Sequence, residues 1–188
     1  IYHSEENQGT VKNFNNVIKH TNGKYLLGAG IDDILYDETV FEKVVDAFER
    51  TNASVITCYR EVLGRNPKLV PARRNAKRFQ NADSVKKYKI IAMGAAIAGA
   101  GTYYSRQIFE QLGLFDEDYK LQEDGPFFLK LLRNGYKMQF ADIIAVRYRM
   151  GYGISSGAEL HPALHEDINK MLQKEINPYL DKFNYWEK

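Results

Sequence analysis

Two pairs of adjacent acids, about ninety residues apart, are the side chains in this sequence best suited to chemistry. The first, Asp32-Asp33, directly follows the apolar stretch Tyr25-Leu26-Leu27-Gly28-Ala29. The second, Glu123-Asp124, precedes a helical pattern, Phe127-Phe128 and then Leu131-Leu132. A carboxylate at the C-terminal end of a strand lies where open α/β sheets bind ligands, and its hard oxygens suit Mg2+ or Mn2+. A cation held there stabilises, as a Lewis acid, the charge that grows on a departing diphosphate. A carboxylate at a helix start can instead take the proton of an attacking hydroxyl, and the helix dipole favours its ionised form. Together the pairs suit transfer of a group from a charged, metal-bound donor to an alcohol. Each pair also has a plainer reading. Asp32-Asp33 could be an acidic turn bonded to its own backbone, and Asp124 an ordinary cap two residues before Pro126.

Arginines supply the second set of candidates. Arg147 and Arg149 flank Tyr148 at a spacing that places both on one strand face, just before a Gly/Ser-rich stretch, Gly151 to Gly157, that reads as a mobile loop. There they could reach diphosphate oxygens as the loop closes; the alternative is an exposed edge strand with two solvated arginines. From Arg60 to Lys89 the chain holds ten Lys or Arg against two acids, so this segment carries +8 and the rest −6 of a net +2. Within it, Arg73, Arg74, Lys77 and Arg78 are candidates for contact with a phosphate-bearing acceptor or an anionic membrane surface, beside the plainer reading of a solvated excursion. Phe79 and Tyr88 are too few to stack bases, and the net charge is small, so nucleic acid is not expected as a partner.

These candidates must be placed by a scaffold, and the apolar periodicities predict one. Val11, Phe14, Val17 and Ile18 share a helix face that Thr10 can cap; Val40, Phe41, Val44, Val45 and Phe48 form another stripe, with Asp37 as cap. Lys24 to Ala29 and Ala53 to Tyr59 read as strands. Pro67 and Pro71 predict an irregular segment, followed by a short helix over Ser84 to Met93. Ile97 to Tyr104, Lys137 to Phe140 and Ile143 to Tyr148 read as strands, and the segments after Ser105 and around Pro126 as helices. Leu164, Ile168, Met171, Leu172 and Ile176 predict an amphipathic C-terminal helix ending before Pro178. Strands alternating with helices argue an α/β sheet with helices on both faces.

At 188 residues the chain is long enough for one domain with a real core. A single cysteine, Cys58, excludes an internal disulfide framework and fits a reducing compartment. With no leader and no apolar span of membrane length, the expectation is a cytoplasmic location, with contact at the inner face of the membrane. The opening on Ile1, with strand-like Ile1-Tyr2-His3 already under way, suggests a piece of a longer protein.

In order, these motifs resemble the family-2 glycosyltransferases of the GT-A fold. Glu6-Asn7-Gln8-Gly9, Asn15 and Asn22-Gly23-Lys24-Tyr25-Leu26 are similar to the sequence that leads into that family's metal motif, and Asp32-Asp33-Ile34-Leu35 matches the end of its D-x-D-D-x-L. Gly99 to Tyr104, Gly113-x-Phe115-Asp116-Glu117 and Glu123-Asp124 resemble the run that carries its base. The resemblance implies Asp32 as metal ligand, with Asp33 at the metal or donor sugar, and Asp124 as general base, with Glu123 binding substrate hydroxyls. It implies a divalent cation, Mg2+ or Mn2+, and inverting transfer from a nucleotide-sugar, a UDP-sugar first, to a saccharide or lipid-linked acceptor in surface polysaccharide or glycoconjugate synthesis. A nucleotidyltransferase, or a relic of the same fold that binds without catalysis, are the alternatives. Gly30 stands where the family's first Asp is expected, and Phe14 where an Arg is common. The family's opening strands have no counterpart, so residues 1–157 read as a partial catalytic domain that would be inactive alone, and 158–188 as its helical extension. A sheet lacking those strands would bare an edge, through which two copies could pair.

Overall fold

In the computed structural model, residues 5–30, 32–64, 66–94, 97–149 and 161–183 are described. The strand-like opening at Ile1 and the Gly/Ser stretch from Gly151 to Gly157 lie outside them. The chain begins with helix α1 (Gly9–His20), whose Val11, Asn15 and Ile18 are buried, at the three- and four-residue spacing of one helix face. Strand β1 (Tyr25–Leu27) leads into the first acid pair, and β2 (Ile34–Leu35) leaves it. Helix α2 (Val40–Thr51) buries Val40, Val44, Ala47 and Phe48, and stops where Asn52 turns left-handed at φ 51°. The long strand β3 (Val55–Leu63) follows.

The segment expected to be irregular is ordered. It folds as β4 (Lys68–Val70), α3 (Arg73–Gln80) and α4 (Ser84–Ala92). Helix α3 escapes the apolar pattern because only Ala76 and Phe79 are buried; two contacts three residues apart suffice to seat so short a helix. Asp83 caps α4 by accepting from the Lys86 N–H at 2.7 Å. Then come β5 (Thr102–Ser105), α5 (Arg106–Leu112), α6 (Asp124–Arg133) and β6 (Met138–Arg149). The two strands expected after Gly135 are one, bent by a register irregularity against β3 near Tyr59. Helix α7 (Pro162–Met171) passes into a π-helical turn (Leu172–Ile176) and a 3-10 turn (Asn177–Lys182). The capping residues also shift: Gln8 and Thr39, not Thr10 and Asp37, occupy the N-cap positions of α1 and α2.

The strands form one mixed sheet in the order β1-β5-β3-β6-β2, with β4 also on β3. The β3–β6 pairing is parallel and the others antiparallel. Successive residues of β3 point to opposite faces: Val55 enters one core and Ile56 the other. The Ile56 face packs on α2 through Val40, Val44 and Phe48. The Val55 face is larger and holds Phe79 of α3, Tyr88 of α4, Ile108 of α5 and Phe128 of α6. Helices therefore cover both faces, as expected. Near the second acid pair the larger core is aromatic: Phe115 lies 5.7 Å from Tyr104, 5.2 Å from Phe109 and 5.0 Å from Phe127, each edge to face.

Candidate functional site

Strand β1 delivers the chain to the first acid pair through a tight turn. The Gly30 N–H donates to Asp33 Oδ2 at 2.9 Å, and the Asp33 N–H donates to the Gly30 carbonyl at 3.1 Å. A Cβ added at Gly30 would stand 3.1 Å from Asp32 Oδ1 and 3.2 Å from Asp33 Oδ2. The two carboxylates thus converge on the space beside the Gly30 α-carbon, and a side chain there would crowd both. Burial pushes the Asp33 carboxyl above its ordinary range, the Gly30 N–H opposes this, and the neighbouring Asp32 charge adds to it. Phe14 reaches in from α1: a Cβ on Gly28 would meet its ring at 2.8 Å, so the glycine makes room for the phenyl.

The second pair opens α6, with Glu123 at the cap position and Asp124 first in the helix. The Gly125 N–H donates to Asp124 Oδ1 at 2.6 Å. Gly99, just before β5, comes so close that a Cβ would stand 3.2 Å from Asp124 Oδ2 and 3.6 Å from Glu123 Oε1. Two buried polar side chains hold this loop. Asn15 on α1 donates to the Phe115 carbonyl at 2.8 Å and accepts from the Phe115 N–H at 3.0 Å. Asp167 on α7 accepts from the N–H groups of Lys120, Leu121 and Gln122. The loop carrying the acids is therefore clamped from both sides.

Burial dominates the electrostatics of this pair. It pushes Glu123 up to about 8, with the Asp124 charge adding. Burial also pushes Asp124 up, against the backbone N–H groups of Gly125 and Gly99 and the positive charge of Arg60. The helix dipole alone predicts an easily ionised Asp124; desolvation offsets that preference. The backbone N–H groups around Asp124 favour its ionised form, whereas burial and the Asp124 charge favour the protonated form of Glu123.

Two adjoining cavities receive the acids. One, about 440 Å3, is lined by Asp32, Asp33, Phe14 and Gly28; the other, about 590 Å3, by Asp124, Gln122, Arg60 and Tyr148. Gly99, Ala100, Leu121, Glu123 and Leu164 line both and form the wall they share.

The remaining candidates lie elsewhere. Arg147 pairs with Glu61 at 3.4 Å and its guanidinium rests 4.7 Å from the Tyr36 ring centroid; Arg149 is exposed. Neither lines the acidic cavities. Tyr148 between them does, because successive strand residues face opposite sides. Arg73, Arg74, Lys77 and Arg78 lie exposed on α3, Arg73 pairing with Asp142 at 3.4 Å.

Three cavity or loop residues escaped the sequence reading. Arg60 lies inside β3, directly after the apolar run that ends at Tyr59. Gln122 directly precedes the acid pair. Asp167 is a lone acid on the Leu164-Ile168-Met171 stripe of α7, and a charge on an apolar stripe signals a buried partner. Among the described residues, no cluster of three or more His, Cys, Asp or Glu could hold a metal, and no helix is long and apolar enough to cross a membrane.

Comparison with known proteins agrees with this architecture. The solved structure of S. aureus TarS 1-349 in complex with UDP-GlcNAc superposes with a TM-score of 0.59 at 14% identity, over 96% of this chain and 58% of that one. GalNAc-T7 with UDP, GalNAc and Mn2+ gives 0.61 at 15% identity, over 90% of this chain and 35% of that one. The fold is that of the GT-A glycosyltransferases. A Bacillus subtilis protein named as an uncharacterized glycosyltransferase, EpsJ, is 24% identical over 179 residues, 93% of this chain and 52% of EpsJ. The chain thus spans about half the length of that curated relative. The family model for glycosyl transferase family 2 matches residues 1–113, more than half of the sequence, and the chain belongs to that family.

Proposed function

We propose that this chain forms the catalytic part of an inverting glycosyltransferase, moving a sugar from a nucleotide diphosphate, a UDP-sugar first, to an acceptor hydroxyl in surface polysaccharide or glycoconjugate synthesis. The observation that carries the reading is the shared wall. Two acid pairs with different environments open into adjoining cavities, so a donor beside Asp32 and Asp33 and an acceptor beside Asp124 meet at Gly99 and Glu123.

The converging oxygens of Asp32 and Asp33 fit a Mg2+ or Mn2+ ion, which takes few ligands from protein when phosphates supply the rest. Such an ion, when bound, neutralises charge growing on the leaving diphosphate. Asp124 orients the acceptor hydroxyl and accepts its proton as the oxygen bonds to the anomeric carbon. The bond from that carbon to the phosphate oxygen breaks, and its electron pair leaves with the nucleoside diphosphate. Glu123, protonated, donates a hydrogen bond to a substrate oxygen at the junction. Phe14 and the small residues Gly28 to Gly30 shape the donor side. The exposed α3 cations bring the protein to an anionic surface or a phosphate-bearing acceptor, and the outer edge of β1 is where two copies pair.

The test is Asp124→Asn and Asp32→Asn in the full protein, with UDP release and calorimetric donor binding measured in Mn2+. Asp124→Asn should abolish transfer and leave donor binding intact, whereas Asp32→Asn should weaken Mn2+-dependent donor binding. Retained turnover in Asp124→Asn would remove that residue from its role.

A further inference from the structure

Among the described residues, four buried side-chain polar atoms lack a hydrogen-bond partner, and two of them belong to residues lining one cavity: Arg60 Nε and Gln122 Oε1. The other two, the hydroxyls of Tyr103 and Tyr119, belong to residues that line neither acidic cavity. Buried polar groups are nearly always satisfied in native structures, so unsatisfied ones in a cavity wall mark what the cavity is built to receive. Both line the Asp124 cavity and neither lines the Asp32 cavity, although the Arg60 charge also reaches Asp33.

Arg60 specifies the chemistry of that occupant. Its guanidinium lies 4.5 Å from the Tyr148 ring centroid, a contact that uses the cation's charge and leaves Nε without a hydrogen-bond partner. Arg60 and Asp124 feel each other's charge, yet no hydrogen bond joins them. A guanidinium stays charged at every physiological pH, and its planar fork matches carboxylate or phosphate oxygens in pairs. The Gln122 amide oxygen calls for a donor, such as a sugar hydroxyl. Ile91, Ile97 and Met171 supply the apolar surface on which a ring would rest.

We propose that the cavity beside Asp124 selects an anionic saccharide acceptor, whose phosphate or carboxylate is held by Arg60 while the Gln122 amide accepts from a neighbouring hydroxyl. The inference rests on the transferase reading above and names the acceptor class for that same site. Arg60 and Gln122 act as specificity residues: they set which molecule presents its hydroxyl to Asp124 and take no proton themselves.

The test is calorimetry on the full protein with the donor side saturated by UDP and Mn2+, using methyl glucoside, glucose 1-phosphate and glucuronic acid as probes. At least one anionic probe should bind about tenfold more tightly than the neutral glycoside, the increment of one charge-assisted contact. A preference for glucose 1-phosphate alone marks a phosphate-bearing acceptor, and for glucuronic acid alone an acidic sugar; either supports the assignment. Arg60→Gln should abolish the preference, Arg60→Lys should retain part of it, and Gln122→Leu should weaken all three probes alike, with circular dichroism confirming folding. Equal affinity for neutral and anionic probes, or a preference that survives Arg60→Gln, would overturn the proposal. UDP release from a UDP-sugar separates the two readings: turnover that neutral glycosides stimulate as well as anionic ones sinks the acceptor assignment alone, whereas no turnover with any acceptor sinks the transferase.

Discussion

The carboxylate of Asp167 lies 2.7 Å from the amide nitrogen of Leu121, two residues before the acid pair that opens α6. The same carboxylate accepts from Lys120 at 2.9 Å and Gln122 at 3.1 Å, and Asp167 is only 1% exposed. One buried carboxylate from the C-terminal helix thus satisfies three consecutive backbone donors of the loop that carries the second acid pair.

Asp167→Ala should therefore cost about 3–5 kcal/mol, since hydrogen bonds to a charged group are the strong ones and three N–H groups would be left buried. Denaturant unfolding measures this directly. A loss below about 1 kcal/mol would mean that water replaces the carboxylate at little cost.

Gly99→Ala isolates the approach of the backbone to Asp124, the proposed base. The added methyl would stand 3.2 Å from Asp124 Oδ2, tighter than ordinary contact, and the carboxylate must turn away. Transfer should fall by roughly tenfold or more, because misplacement by a fraction of an ångström degrades proton abstraction. The melting temperature should change little. Comparing kcat with thermal melting checks both, and wild-type kcat in the variant would contradict the placement.

Glu123→Gln should change how stability depends on pH. The carboxyl is raised from 4.5 to about 8 by burial, so the folded chain holds a proton that the unfolded chain releases. Stability from this group is present below the unfolded value and is lost as pH rises through the folded one. The neutral isostere removes that loss. Melting temperatures between about pH 5 and 9 should fall less steeply in the variant, and above pH 8 the variant should be the more stable. Parallel curves would show that Glu123 titrates normally.

Gly28→Ala and Phe14→Leu should be coupled. The new methyl would meet the Phe14 ring at 2.8 Å, so overpacking should cost about 1–3 kcal/mol and tilt the ring into the Asp32 cavity. Shortening Phe14 should relieve that cost, so the double-mutant cycle should show a favourable interaction of at least about 0.5 kcal/mol. Additive effects would place the ring away from Gly28.

Much of this was legible in the sequence, for identifiable reasons. The stripe Val40, Val44, Phe48 and the strand beginning at Val55 were readable because their burial follows the helix and strand periods. The acid pairs were readable because carboxylates beside apolar segments have few reasons to be there. Helix α3 was not, because Ala76 and Phe79 are too sparse to make a period. Arg147 drew attention for its spacing, yet its partner Glu61 sits on a neighbouring strand, and such pairing is a tertiary fact. Arg60 was hidden in a crowd of cations; only its burial beside Tyr148 distinguishes it from Arg74 or Lys77.

The family match ends at Gly113, whereas Leu164, Ile168 and Met171 of α7 furnish a wall of the Asp124 cavity. The Asp32 cavity is lined mostly by residues inside that match, and the Asp124 cavity in large part by residues beyond it. On the proposed reading, substitutions at Ile168 and Met171 on one face of α7 would reshape the opening for the acceptor and leave Asp32 and Asp33 untouched.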